Sequence, residues 1–226
     1  MISIVVPTLD EERALPATID AVFAQAGGFE VIVVDGGSTD GTRAVARNLS
    51  ARDSRVRLLE THRGRAQQMN AGAAAATGEW LLFLHADTLL PADGLSRISN
   101  LPDSVHAGCF RHRFSGPGRI LSMLSWFHNR RFQVTRVVYG DQGLFIRREL
   151  FDQLGRFPVR TMEDIAFGLR LRKAARPFML PAAVVTDSRK FEQMGAWSAT
   201  AHAVSLLVRF RFRAAVDHDP FFDDYR

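Results

Sequence analysis

The chain has 226 residues, of which 46% are hydrophobic and 23% charged. That balance excludes a disordered chain and allows one sizeable core, so a single domain is the default. A net charge of +5 suits an anionic partner or simply a soluble surface, and the single cysteine, Cys109, excludes an internal disulfide or a cysteine-rich zinc site.

Met1 runs directly into Ile2-Ser3-Ile4-Val5-Val6, with no basic leader, and no apolar run approaches the ~20 residues of a spanning helix. A cytoplasmic protein, soluble or resting on the inner face of a membrane, is expected, as a lone cysteine also suggests. Ile2 to Val6 reads as a buried parallel strand, and a helix over about Glu11 to Gln25 follows, with Leu15, Ile19, Val22 and Phe23 on one face. Thr8-Leu9-Asp10-Glu11 has the spacing of a capping box, with Thr8 as N-cap and Glu11 three residues on. Such a helix end also offers free amides to an anion.

Val31 to Val34 is a second strand, closed by Asp35 and the polar turn Gly36-Gly37-Ser38-Thr39-Asp40-Gly41. Asp35 is a turn former or, because Ser38 or Asp40 can cap the next helix without it, an acceptor for a base or ribose. A helix over Thr42–Ala51, a strand over Arg55–Leu59, an alanine-rich helix over Ala66–Ala76 and a strand over Trp80–Leu84 complete a β-α-β-α-β-α-β run. This predicts an α/β fold with a mostly parallel sheet and helices on both faces, in which Thr8, Asp35 and Asp87 lie at carboxyl ends of strands and converge on one crevice.

Asp87, in His85-Ala86-Asp87-Thr88, suits a hard divalent cation shared with diphosphate oxygens, although a lone strand-end acid is more often a turn residue. The second part reads as a strand over Ala107–Phe114, a helix over Ile120–Phe132, a short strand over Leu144–Ile146, a helix over Glu163–Ala174 and a last strand over Val184–Thr186. An amphipathic helix from Trp197 to Leu207 and an acidic, aromatic tail follow. Glu163 and Asp164 open their helix, where acids favour the helix dipole, and a carboxylate there also serves as a general base. Arg65, Arg189 and Lys190 are candidates for phosphate oxygens, each with a solvated-surface alternative.

Taken in order, Ile4-Val5-Val6-Pro7-Thr8 with Glu11-Glu12, Val33 to Thr42, Gly64 to Gly72, Gly78 to Thr88, Gly140-Asp141-Gln142-Gly143 and Met162-Glu163-Asp164 resemble the family 2 glycosyltransferases. The glycine-aspartate-glutamine-glycine segment and the His-Ala-Asp form look most like the radical-SAM/selenodomain-associated subgroup. The resemblance implies a GT-A fold and an inverting transfer from a UDP- or GDP-sugar to an acceptor hydroxyl. It places Pro7, Thr8, Glu11 and Asp35 around the nucleoside, Arg65 on the base or diphosphate, Asp87 on Mn2+ or Mg2+, and Asp164, with Glu163 beside it, as the base. His85 stands where the family has the first acid of its Asp-x-Asp motif, and contacts a phosphate or leans into the core. The whole chain, 1–226, then reads as one domain, with a nucleotide-sugar half at 1–88, an acceptor and catalytic half at 105–195, and a helix and tail at 196–226.

The acceptor is a lipid, carbohydrate or small molecule. Ile120–Phe132, with Trp126, and Val208–Arg213 mix apolar and basic residues that suit an anionic membrane surface, a subdomain core or a homodimer interface. A sugar-1-phosphate nucleotidyltransferase is an alternative, but Pro7 to Glu11 lacks the glycines and lysine that it needs; a nucleotide-sugar-binding module without turnover is another. No basic stripe with interleaved aromatics marks a nucleic-acid reader.

Overall fold

The computed structural model describes residues 1–159 and 162–195, with Ser198 and Ser205. The helix expected over Trp197–Leu207, the Val208–Arg213 segment, the tail and the Lys190 side chain lie outside what is described.

Along the chain the strands are β1 (Ile2–Thr8), β2 (Phe29–Asp35), β3 (Val56–Glu60), β4 (Trp80–Phe83), β5 (Thr88–Leu89), β6 (Ala107–Phe114), β7 (Leu144–Arg147) and β8 (Phe178–Thr186). The helices are α1 (Leu15–Phe23), α2 (Thr42–Arg52), α3 (Arg65–Ala75), α4 (Gly94–Ser99), α5 (Arg119–Thr135), α6 (Arg148–Gln153), α7 (Glu163–Ala174) and α8 (Arg189–Met194), with a 3-10 turn at Gly140–Gln142. One eight-stranded sheet has the order β3-β2-β1-β4-β7-β6-β8-β5. The strands β1 to β4 pair in parallel, as the alternating β-α rhythm requires. Then β7 enters antiparallel between β4 and β6, and β6 pairs parallel with β8.

The two sheet faces are read from β1. Ile2, Ile4 and Val6 join the core under α1, α2 and α4, whereas Val5 joins the core under α3, α6 and α7. Gly72 lets α3 lie close on the sheet: a Cβ there would stand 2.4 Å from Val5 Cγ1.

The expected capping box does not form. Thr8 completes β1, and its hydroxyl reaches the Val34 carbonyl at 3.3 Å. The helix starts later, at Leu15, because Pro16 sits in its first turn, where a missing amide hydrogen costs nothing. Short elements the sequence reading passed over are β5, α4, α6, α8 and the 3-10 turn, and β8 begins at Phe178, well before Val184. No helix among the described residues is long and apolar enough to cross a membrane.

Candidate active site

The loops after β1 and β2 are sewn together by their own polar groups. The Thr39 amide donates to Asp10 Oδ1 at 2.7 Å, the Glu11 amide to Thr42 Oγ1 at 2.7 Å, and the Gly41 amide to Glu12 Oε2 at 2.7 Å. Asp10 sits at φ 55, a left-handed conformation that aspartate tolerates better than most residues. From α3, Gln68 Nε2 donates to the carbonyls of Thr8 at 2.7 Å and Val34 at 2.8 Å, so one amide ties both strand ends.

Asp35 is buried at the end of β2, opposite Thr8 in register. Its carboxylate accepts from the amides of Gly37 at 2.9 Å and Ser38 at 3.0 Å and from the Ser38 hydroxyl. Those bonds make it the organiser of its own turn; it lines neither of the clefts described next.

Pro7, Thr8, Glu11, Arg65, His85 and Asp87 line one cleft beyond the carboxyl ends of β1 and β4, joined there by Gln68. A second depression shares Arg65 and His85 with it and adds Tyr139, Gly140, Glu163 and Asp164. Arg65 and His85 therefore form the wall between the residues at the ends of β1 and β4 and the pair at the start of α7.

Asp164 is fixed by two amides: Gly140 donates to Oδ2 and Ile165 to Oδ1, each at 2.8 Å. Gly140 has to be glycine, since a Cβ would come within 2.9 Å of His85 Nε2 and 3.3 Å of Asp164 Oδ2. Glu163 points elsewhere. It is buried and pairs with Arg65, which brings the first residue of α3 against the first residue of α7. Asn70 reinforces the junction, exchanging two hydrogen bonds with the Phe157 backbone at 2.9 and 3.1 Å. Burial raises the Glu163 pKa, and the Arg65 guanidinium opposes that rise.

His85 is enclosed. Burial, and after it the nearby Arg65, holds its pKa below the ordinary value, against the pull of Asp87, Asp141 and Asp164. Three carboxylates thus act on one neutral imidazole, whose Nε2 has no hydrogen-bond partner. The Asp87 carboxylate is partly exposed, and one oxygen accepts from Thr88 Oγ1 at 3.2 Å. Its backbone carbonyl takes the Asp187 amide at 3.0 Å, docking the end of β8 beside it. Arg189 then bridges Asp187 at 2.8 Å and Glu11 at 3.4 Å, closing one side of the cleft. No group of three His, Cys, Asp or Glu side chains among the described residues is arranged to hold a metal by itself.

Asp141 was not singled out in the sequence for any role of its own. It faces His128 Nε2 at 3.1 Å, off the axis of a hydrogen bond, and His112 Nε2 at 3.8 Å. Burial drives its pKa up, but the two imidazole edges outweigh that and hold it below the usual carboxylate range. Burial pushes His112 down to about 4. The only available signal was the aspartate's position between Gly140 and Gly143, at a turn; its histidine partners are 29 and 13 residues upstream, at His112 and His128.

The model of the family described as Glycosyl transferase family 2 matches residues 3–155. A PGL/p-HBAD biosynthesis glycosyltransferase of Mycobacterium tuberculosis is 30% identical over 223 residues, covering 92% of this chain and 83% of that protein. Glycosyltransferase AglE of Haloferax volcanii is 26% identical over 169 residues, 70% of this chain and 56% of that one. Among solved structures, mannosyltransferase PcManGT from Pyrobaculum calidifontis, in complex with GDP-Man and Mn2+, superposes with a TM-score of 0.63 at 23% identity. That likeness covers 81% of this chain and 56% of the other. S. aureus TarS in complex with UDP-GlcNAc gives 0.64 at 21% identity, covering 82% of this chain and 58% of that one. The likenesses to solved structures establish the GT-A fold, and the matched span and the relatives establish the kind of enzyme: the chain belongs to glycosyl transferase family 2 and is a glycosyltransferase.

Proposed function

We propose that the enzyme moves a sugar from a UDP- or GDP-sugar to an acceptor hydroxyl with inversion, using Asp164 as base and Asp87 toward a divalent metal. The observation that carries this reading is the grouping of Asp87 and Asp164 about His85, with Arg65 between the nucleotide-side cleft and the start of α7. The similar structures that hold GDP-Man with Mn2+ and UDP-GlcNAc support the donor class and the metal. Family membership sets aside the nucleotidyltransferase alternative.

Asp87 offers a partly exposed hard oxygen, and no side-chain cage surrounds it among the described residues. That donor set fits a cation held by one carboxylate and by the oxygens of a bound diphosphate. Mn2+ or Mg2+ bound there would neutralise charge that develops on the departing diphosphate. The remaining chemistry belongs to the chain. Thr8, Pro7 and Glu11 border the nucleoside, Asp35 shapes the turn behind it, and Arg65, steadied by Glu163, presents its guanidinium toward phosphate oxygens. The acceptor oxygen attacks the anomeric carbon from the side opposite the diphosphate. The new carbon–oxygen bond forms as the carbon–phosphate-oxygen bond breaks, the electron pair leaves on the diphosphate, and the acceptor proton passes to Asp164. Its two amide bonds hold the carboxylate in place without a reorganisation step.

Within the family we place the chain in the radical-SAM/selenodomain-associated subgroup, on Gly140-Asp141-Gln142-Gly143 and His85-Ala86-Asp87. We assign 1–88 to the donor and 105–195 to the acceptor. On α5, Trp126 and Phe127 are each 57% exposed and Met123 37%, beside exposed Arg130. That face supports an acceptor with an apolar portion and a peripheral stay on the inner membrane surface. Release of UDP or GDP from UDP-GlcNAc or GDP-Man, measured with Mn2+, Mg2+ or EDTA, tests the central reading. Metal-stimulated release is expected, and its absence with both donors and with lipid and sugar acceptors overturns it. Sedimentation with anionic vesicles tests the membrane contact: recovery of all protein in the supernatant at low salt removes it.

A further inference from the structure

Eight buried side-chain nitrogens and oxygens among the described residues have no hydrogen bond. One of them, Arg97 Nε, lies apart; His85 lines both clefts, and the rest belong to His112, His128, Arg131, Asp141 and Gln142 beside it. Buried polar atoms are ordinarily paired, because leaving water without a new partner is costly. Their concentration sets a group of incompletely paired polar atoms behind the one partly exposed carboxylate among them, Asp141.

The centre of that surface is Asp141. Its turn is anchored to the base, because the preceding residue, Gly140, donates its amide to Asp164 Oδ2 at 2.8 Å. Behind it stand His128 Nε2 at 3.1 Å from Oδ1 and His112 Nε2 at 3.8 Å from Oδ2. His112 is locked: its amide and carbonyl are both held by the Asn129 side chain, at 2.8 and 2.9 Å, and its ring sits edge-on to Phe114. The Asp141 side chain keeps 31% of its surface exposed, so one face of the carboxylate opens outward while the other is backed by imidazole.

The geometry points to a sugar-hydroxyl subsite, in which Asp141, positioned by His112 and His128, accepts hydrogen bonds from neighbouring hydroxyls of a sugar ring lying between Asp87 and Asp164. A carboxylate only accepts, and neutral imidazole both gives and takes, which matches hydroxyls, themselves donors and acceptors. A phosphate is repelled by the same carboxylate, and the residues do not form a cation cage. The inference rests on the nucleotide-sugar reading above. The ring belongs either to the donor sugar or to the acceptor, since both meet at the reacting carbon.

The test compares the full chain with Asp141→Asn in Mn2+. Calorimetry gives Kd for UDP and GDP, which carry no sugar, and for UDP-GlcNAc and GDP-Man; kinetics give KM for the acceptor. UDP and GDP affinities are expected to stay within twofold. Weakening of about tenfold for a nucleotide sugar alone assigns the subsite to the donor, and a similar rise in acceptor KM alone assigns it to the acceptor. If all constants stay within twofold, the subsite is overturned while the nucleotide-sugar reading stands. If the parent chain binds neither UDP nor GDP, that reading falls and takes this inference with it. His128→Gln keeps the test decisive should Asp141→Asn fail to fold. A positioning role predicts a smaller rise in the same constant with kcat nearly unchanged, and no change in any constant counts against the subsite.

Discussion

The turns at 9–12 and 35–42 and the segment 112–142 are both rich in polar side chains, yet they differ in how fully those are paired. In the first, Asp10, Glu12, Asp35, Ser38, Asp40 and Thr42 satisfy one another and the local backbone, so the loops form a rigid rim before any ligand arrives. In the second, His112, His128, Asp141 and Gln142 keep buried atoms without a hydrogen bond, although Asp141 stands against both imidazoles. Under the proposed function the rim would meet parts common to nucleotide donors, which a finished rim can do. The second region adjoins His85 and Asp164, and under the subsite proposed above its exposed carboxylate is where a particular sugar or acceptor would be selected.

The largest effect that tests this contrast belongs to Asp164, the proposed base. Asp164→Asn is expected to lower kcat by about 10²- to 10⁴-fold with nucleoside diphosphate affinity nearly unchanged, because a proton acceptor acts only in the chemical step. Equal loss of kcat and of UDP or GDP affinity would show that Asp164 belongs to the rim instead. Next comes Glu163→Ala. It removes the buried carboxylate that meets Arg65 at the α3–α7 contact and should cost roughly 3 kcal/mol of stability, measured by urea unfolding. A loss below about 1 kcal/mol would mean that this pair is not what ties α3 to α7. Smaller again, Asp87→Asn should weaken Mn2+-dependent binding of UDP or GDP by roughly tenfold while leaving metal-free binding alone. Equal weakening in EDTA would take Asp87 away from the metal.

The parallel half was legible because each element is a self-contained pattern. Val31 to Val34 is a pure apolar run, and Asp35 and Gly36 end it whatever the remainder of the chain does. Glu163–Ala174 and Ala107–Phe114 match the folded elements end to end for the same reason. The start of α1 was misread because the Thr8–Glu11 spacing fits a cap, while the extension of β1 to pair Thr8 with Asp35 is a tertiary fact. β8 reads short because Pro181-Ala182-Ala183 lacks strand character on its own; the register shift between Phe110 and Arg111 lets β6 carry it. Arg65 and Glu163 were each seen, but not that they bind each other across 98 residues. Asp141 needed the fold entirely, since nothing local brings His112 and His128 to it.

Acidification offers the finest probe of the contrast, because it acts on the histidines of the second region. His112 has a folded pKa of about 4, against an ordinary value near 6.5 in the unfolded chain. Between those values the unfolded chain binds a proton that the folded chain refuses, so unfolding becomes easier as pH falls. His85, also held low, adds in the same direction. Between pH 7 and pH 5.5 the His112 contribution alone removes about 1 kcal/mol. Asp141, whose folded pKa is depressed, contributes stability that is lost only as pH falls below the usual carboxylate range, outside this window. Urea unfolding at the two pH values, with His112→Asn beside the parent, isolates the term: the variant should show a flatter decline. Parallel declines in the two chains would mean that His112 reaches water in the folded state, and that the region behind Asp141 is wetter and less pre-formed than its packing against Phe114 and Asn129 requires.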